Sequence, residues 1–90
     1  FNATMACTLI DLSQTGAKLG ARECPRVGAL VVVEDLPIEL FGTVRWTAHE
    51  LFGIEFDVPL PLEPVVKLRR FADTADTRRR QAALTYARDW

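Results

Sequence analysis

Over residues 38–46 the chain alternates side by side between two faces, and that period of two is the pattern of an extended strand, not of a helix. Ile38, Leu40, Gly42, Val44 and Trp46 share one face, and Glu39, Phe41, Thr43 and Arg45 share the other. Residues 47–50 make a polar turn, after which Phe52, Ile54 and Phe56 point one way and Gly53 and Glu55 the other. The two runs read as a hairpin. Upstream, Met5, Cys7 and Leu9 alternate with Ala6, Thr8 and Ile10 until the polar stretch 11–16. Ala17, Leu19 and Ala21 give a second short strand that stops before Pro25, which lacks a ladder donor. Residues 30–33 are apolar on both faces, which suits a strand covered on each side. Five short strands separated by turn signals predict an antiparallel sandwich or barrel.

The pattern breaks at Pro59 and Pro61, because two prolines two residues apart cannot continue a central strand. Beyond them the period turns helical. Glu63 and Pro64 suit a first turn, and Val65, Leu68 and Phe71 or Ala72 form a stripe. Residues 73–77 supply capping side chains, and Ala82, Ala83, Tyr86 and Trp90 fall on one face of a second helical segment. The sequence therefore predicts a strand-built unit over residues 1–58 and a helical tail over 59–90, with a helix or helical hairpin from about residue 63 onward.

Charge divides at the same place. Residues 1–60 carry four basic and eight acidic side chains, and residues 61–90 seven and four. The strand-built part is thus too acidic for a nucleic-acid polymer, which calls for a dense basic stripe. Arg78, Arg79 and Arg80 are consecutive and so point around a helix, as a solvated face does, and Lys67, Arg69 and Arg70 read the same way. An apolar fraction of 49% with 26% charged residues describes an ordinary globular chain, and no apolar run reaches membrane-spanning length. With no signal-like start, the expected location is cytoplasmic and no membrane insertion is expected. Cys7 and Cys24 lack metal or redox spacing and are expected to be free thiols. A single histidine, His49, in a turn, with no nucleophile elbow and no glycine-rich phosphate loop, argues against an enzyme, a metal site or a cofactor.

The segment from Cys7 through Asp11-Leu12-Ser13-Gln14-Thr15-Gly16 to Leu19 carries the pattern DxSxxG between two strands. With Val44-Arg45-Trp46 and Phe52-Gly53-Ile54-Glu55-Phe56 following in order, the chain resembles the PilZ domain family over roughly residues 1–58. That resemblance implies a small antiparallel β-barrel that binds cyclic di-GMP, a bacterial second messenger with two guanines and two phosphates. It points to Asp11, Ser13 and Gly16 as ligand-binding residues. A carboxylate accepts hydrogen bonds from guanine N–H groups, a hydroxyl donates or accepts, and a glycine allows close backbone approach. The family also uses an RxxxR arm before the first strand, whose arginines suit phosphates and guanine O6 and N7.

No arginine pair with that spacing precedes Asp11, so the family's first strand and arm are expected to be missing: either the chain is truncated or it is a divergent member. A missing strand would leave an unpaired edge, for which dimerisation or strand swapping is the expected remedy. Two readings of the motif stay open. Asp11 and Ser13 either read a base or close an Asx/ST turn, with Gly16 supplying a bulge. Trp46 either packs at the core or rim, or stacks on guanine. The function expected is a cyclic di-GMP receptor domain that acts on a protein partner. The alternative is a degenerate domain serving protein–protein interaction or homo-oligomerisation, with Tyr86 and Trp90 in a partner's groove.

Overall fold

The computed structural model describes residues 2–36, 38–74 and 80–87. Six strands run in the order β1 (Asn2–Leu12), β2 (Gly16–Gly20), β3 (Leu30–Glu34), β4 (Leu40–Ala48), β5 (Leu51–Phe56) and β6 (Arg80–Ala87), with one helix, α1 (Leu62–Thr74), before the last strand. Around the barrel the order is β1-β2-β5-β4-β3-β6, closed, and every neighbouring pair is antiparallel.

The inward positions are those the alternation selects. Cys7 and Leu9 of β1, Ala17 and Leu19 of β2, Val31 and Val33 of β3, and Phe52, Ile54 and Phe56 of β5 are all buried. A small barrel is filled by such side chains and holds no lumen. The β4–β5 hairpin forms as expected, but its turn is only His49 and Glu50, because Ala48 already pairs with Leu51. His49 takes a φ of 57° there, the left-handed conformation that so short a hairpin connection demands. One strand differs in its surroundings. Leu30 is exposed and Val32 only half-buried, since a single-layered barrel has solvent outside it and no described residue covers the outer face of β3.

The helix spans the expected region and buries Val65 and Leu68 against the barrel core, three residues apart on one face. An ion pair between Glu63 and Lys67, one turn apart, lies on its exposed side at 3.0 Å. The second helical segment does not form. Residues 80–87 are β6, paired from Asn2↔Ala87 to Leu9↔Arg80 on one side and from Val31↔Tyr86 to Glu34↔Ala83 on the other. Alanines at 82, 83 and 87 favour a helix locally, but β1 and β3 each offer a row of unpaired backbone groups to the same segment. Satisfying both rows outweighs a propensity of a few tenths of a kcal/mol per residue. The unpaired edge expected from a missing strand is therefore absent among the described residues, and with it the reason given for dimerisation or swapping. Residues 75–79, 88 and 89 and Trp90 lie outside the described residues, so the capping role of 75–77, the Arg78–Arg79 pair and the proposed use of Trp90 do too.

Cys7 and Cys24 are free thiols, one buried in the barrel and one half-buried near the carbonyls of His49 and Leu51. Burial pushes the Cys7 thiol up to about 11 from its ordinary 9.0. The Cys24 thiol is raised as well, by burial first and then by the nearby Glu50 carboxylate.

Two measurements test the barrel. Leu84 is fully buried on β6, so Leu84→Ala is expected to cost about 2–5 kcal/mol in urea unfolding; a loss below about 0.5 kcal/mol would show that residues 80–87 are not a stave. The raised Cys7 value means that its burial stabilises the fold below the unfolded pKa and that this contribution is lost as pH rises through about 11. In the native protein at pH 8, a thiol reagent is expected to modify Cys24 well before Cys7. Equal rates for the two would contradict the buried position of Cys7.

Candidate functional site

Two β-bulges build the outer surface beside the β1–β2 turn. In β1 the register shifts between Leu9 and Asp11, so Ile10 is the extra residue. Strict alternation would send Asp11 inward with Leu9; the bulge turns it out while Leu9 and Leu12 both stay buried. In β4 the register shifts between Val44 and Trp46, with Arg45 as the extra residue. Trp46 therefore leaves the face it would share with Val44. Val44 is fully buried, whereas Trp46 is 41% exposed and stands outside next to Arg45. Of the core and rim positions left open for Trp46, the structure gives the rim.

The pairings place four residues in one row across four strands: Asp11 opposite Lys18, Lys18 opposite Gly53, and Gly53 opposite Trp46. A Cβ at Gly53 would overlap the indole of Trp46, so the ring lies on bare backbone and only glycine accepts it there. With Ser13 and Gly16 these residues border an open cleft of about 330 Å³. All four residues singled out from the sequence, Asp11, Ser13, Gly16 and Trp46, line this one cleft.

Their local roles differ. Ser13 Oγ accepts from the N–H groups of Thr15 (3.3 Å) and Gly16 (3.1 Å) and donates to the Gly16 carbonyl (3.2 Å), while the Ser13 N–H donates to the same carbonyl at 2.9 Å. Ser13 thus holds the turn closed, as the ST-turn reading has it. Gly16 supplies no bulge, for the bulge sits at Ile10; a Cβ on Gly16 would overlap the Ile54 carbonyl across the β2–β5 ladder. Asp11 accepts the Leu12 N–H on Oδ1 at 2.9 Å, which leaves Oδ2 without a protein partner among the described residues. The turn is also tied to the segment leading into α1. The Leu60 N–H donates to the Gln14 carbonyl at 2.7 Å, and Gln14 Nε2 donates back to the Leu60 carbonyl at 3.2 Å.

Sequence reading missed three charged residues of this cleft, Lys18, Arg45 and Glu55. Lys18 makes no ion pair among the described residues. Arg45 reaches Glu55 Oε1 with both Nε (3.0 Å) and Nη2 (2.8 Å), and both side chains are more than half exposed. The available signal was that Lys18 follows Gly16 by two and Arg45 adjoins Trp46, basic residues in an acidic half-chain. An Arg-x3-Arg spacing does occur, at Arg22 and Arg26. It follows β2, whose five residues separate it by roughly 17 Å from the turn that starts the strand. Those two arginines do not line the cleft. Among the described residues no group of three or more His, Cys, Asp or Glu side chains could hold a metal ion, and no helix is long and apolar enough to cross a membrane.

The family model for the PilZ domain matches residues 2–73. The chain belongs to the PilZ family. PilZ domains are binding and regulatory domains, generally receptors for cyclic di-GMP. The match takes in the strands β1 to β5 and most of α1, while β6 lies beyond it. No curated protein and no solved structure matches the chain.

The contact between Trp46 and Gly53 is open to a direct check. In a Trp90→Phe background, where Trp46 is the remaining tryptophan, Gly53→Ala is expected to lift the indole off β5. Its fluorescence should shift to the red, with a stability loss of about 1–3 kcal/mol from the forced overlap. An unchanged emission spectrum would count against the ring lying on Gly53.

Proposed function

We propose that this PilZ domain is a cyclic di-GMP receptor whose ligand sits in the cleft beside the 11–16 turn. The observation that carries the reading is the row of Asp11, Lys18, Gly53 and Trp46 next to the family's DxSxxG turn. Each member suits a part of the nucleotide. The half-exposed indole of Trp46 offers a flat face on which guanine stacks. The free Oδ2 of Asp11 accepts from guanine N–H groups. Lys18 and Arg45 meet the phosphates, Arg45 by a charge-assisted fork and Lys18 as a point charge. Ser13 and Gly16 act by shaping the turn and not by reading the base.

Such a domain works as a regulator and performs no catalysis. Its occupation would be felt first at the turn. Because Gln14 is bonded to Leu60 in both directions, a shift of the turn pulls on the segment that starts α1, and from there on a protein partner in the bacterial cytoplasm. The opposing interaction-module reading, without nucleotide, is favoured by one observation: Glu55 already neutralises Arg45.

Calorimetric titration with cyclic di-GMP separates the two. The receptor reading expects saturable binding at micromolar nucleotide, weakened about tenfold or more by Asp11→Ala and by Arg45→Met, or about 1.4 kcal/mol each. Ser13→Ala is expected to act mainly on the thermal stability of the turn. Absence of saturable binding in the unmodified chain would sink the receptor reading and leave the interaction module.

A further inference from the structure

Among the described residues four charged side chains border the cleft, and they cancel: Asp11 and Glu55 against Lys18 and Arg45. A cleft that takes a ligand with two phosphates gains from its cations and loses from its anions. Asp11 has a use toward a base, as a hydrogen-bond acceptor. Glu55 has none that the geometry supplies. Its carboxylate lies on the outer face of β5, opposite Gly16 on one side and Thr43 on the other, and its Oε1 occupies two donors of the Arg45 fork.

Resting on the receptor reading, we propose that Glu55 sets the affinity of this cleft for anionic ligands by holding Arg45 away from them. Arg45 is the extra residue of the β4 bulge, so its backbone stands out of the ladder and its side chain reaches either Glu55 or a ligand phosphate in the cleft. The ion pair is more than half exposed on both sides, and pairs of that kind are weak and screened by salt. A doubly charged ligand can therefore take Arg45 from Glu55, but it does so against the Glu55 charge, which stays beside the cleft. Lys18, with no carboxylate among the described residues bonded to it, is a cation available from the start. The arrangement makes the cleft a weak anion site that one substitution converts into a stronger one.

The test uses the whole chain and two probes, cyclic di-GMP and inorganic pyrophosphate, the second carrying the charge without the bases. Binding is followed by calorimetry and by the amide shifts of Lys18, Arg45 and Gly53. Glu55→Gln is expected to tighten both probes on the order of five-fold, from the release of Arg45 together with the loss of a unit charge about 5 Å away in water. The gain should shrink at high salt and should be smaller in an Arg45→Met background, where the Glu55 charge is removed but there is no Arg45 to release; a gain of the same size there would overturn the role of Arg45. Lys18→Met should weaken both probes whatever stands at 55. A tighter site cannot come from a damaged fold, so the gain is informative by its sign. If Glu55→Gln leaves pyrophosphate affinity unchanged or lowers it, the proposal is overturned. If pyrophosphate tightens while cyclic di-GMP fails to bind either form, the role of Glu55 stands and the nucleotide reading falls.

Discussion

The structure depends on one act of closure, the insertion of β6 between β1 and β3. A sheet of five strands would expose two rows of backbone donors and acceptors, along β1 and along β3. One segment satisfies both rows at once, with ladders running on each of its sides. Closure also completes the interior: Leu84 on β6 is fully buried, together with Val33 of β3 and Leu19 of β2. It pairs β1 from Asn2 to Leu9, while β2 pairs the stretch from Thr8 to Leu12, and the turn at 11–16 hangs from the end of β1. The candidate site is thus held in place by a strand of which no described side chain lines it.

Two single-residue insertions then decide what the outer wall presents. A barrel strand must alternate, so a carboxylate between Leu9 and Leu12, or an indole two residues after Val44, would face inward in an unbroken ladder. The bulges at Ile10 and Arg45 reverse that parity locally at no cost to the core, since Leu9, Leu12 and Val44 all remain buried. The result is a row in which an acid, an amine, a bare glycine and an aromatic ring stand side by side across four strands. The glycine is what makes the row possible, because the indole can pack against β5 only where no side chain stands beneath it.

Among the described residues the charges of the cleft balance, with Arg45 engaged by Glu55 and Lys18 unengaged. Affinity for an anion in such a place is governed less by how many cations are present than by what already holds them. The bonds from Gln14 to Leu60 give the same turn a mechanical connection to α1, so the residues that would meet a ligand and those that would report it share one short hydrogen-bonded loop.

Much of the barrel was legible in the order of residues alone. Cys7 and Leu9, Ala17 and Leu19, Phe52, Ile54 and Phe56 alternate as a half-buried strand requires, and the prolines at 59 and 61 end the run just before a helix that forms over Leu62–Thr74. The turn residues Asp11, Ser13 and Gly16 were legible too, because DxSxxG combines a local hydrogen-bonding serine with a glycine in a fixed place. What the order of residues did not determine is where a period of two is interrupted, since a bulge depends on how neighbouring strands register and not on the strand's own composition. That is why alternation alone left Trp46 on the face of Val44, with core and rim both open, and why Lys18, Arg45 and Glu55 were not grouped with the turn. Nor did it determine the fate of residues 80–87. Their alanines favour a helix when only near neighbours count, and they became a strand because two distant strands, β1 and β3, each needed a partner that only the closed barrel could supply.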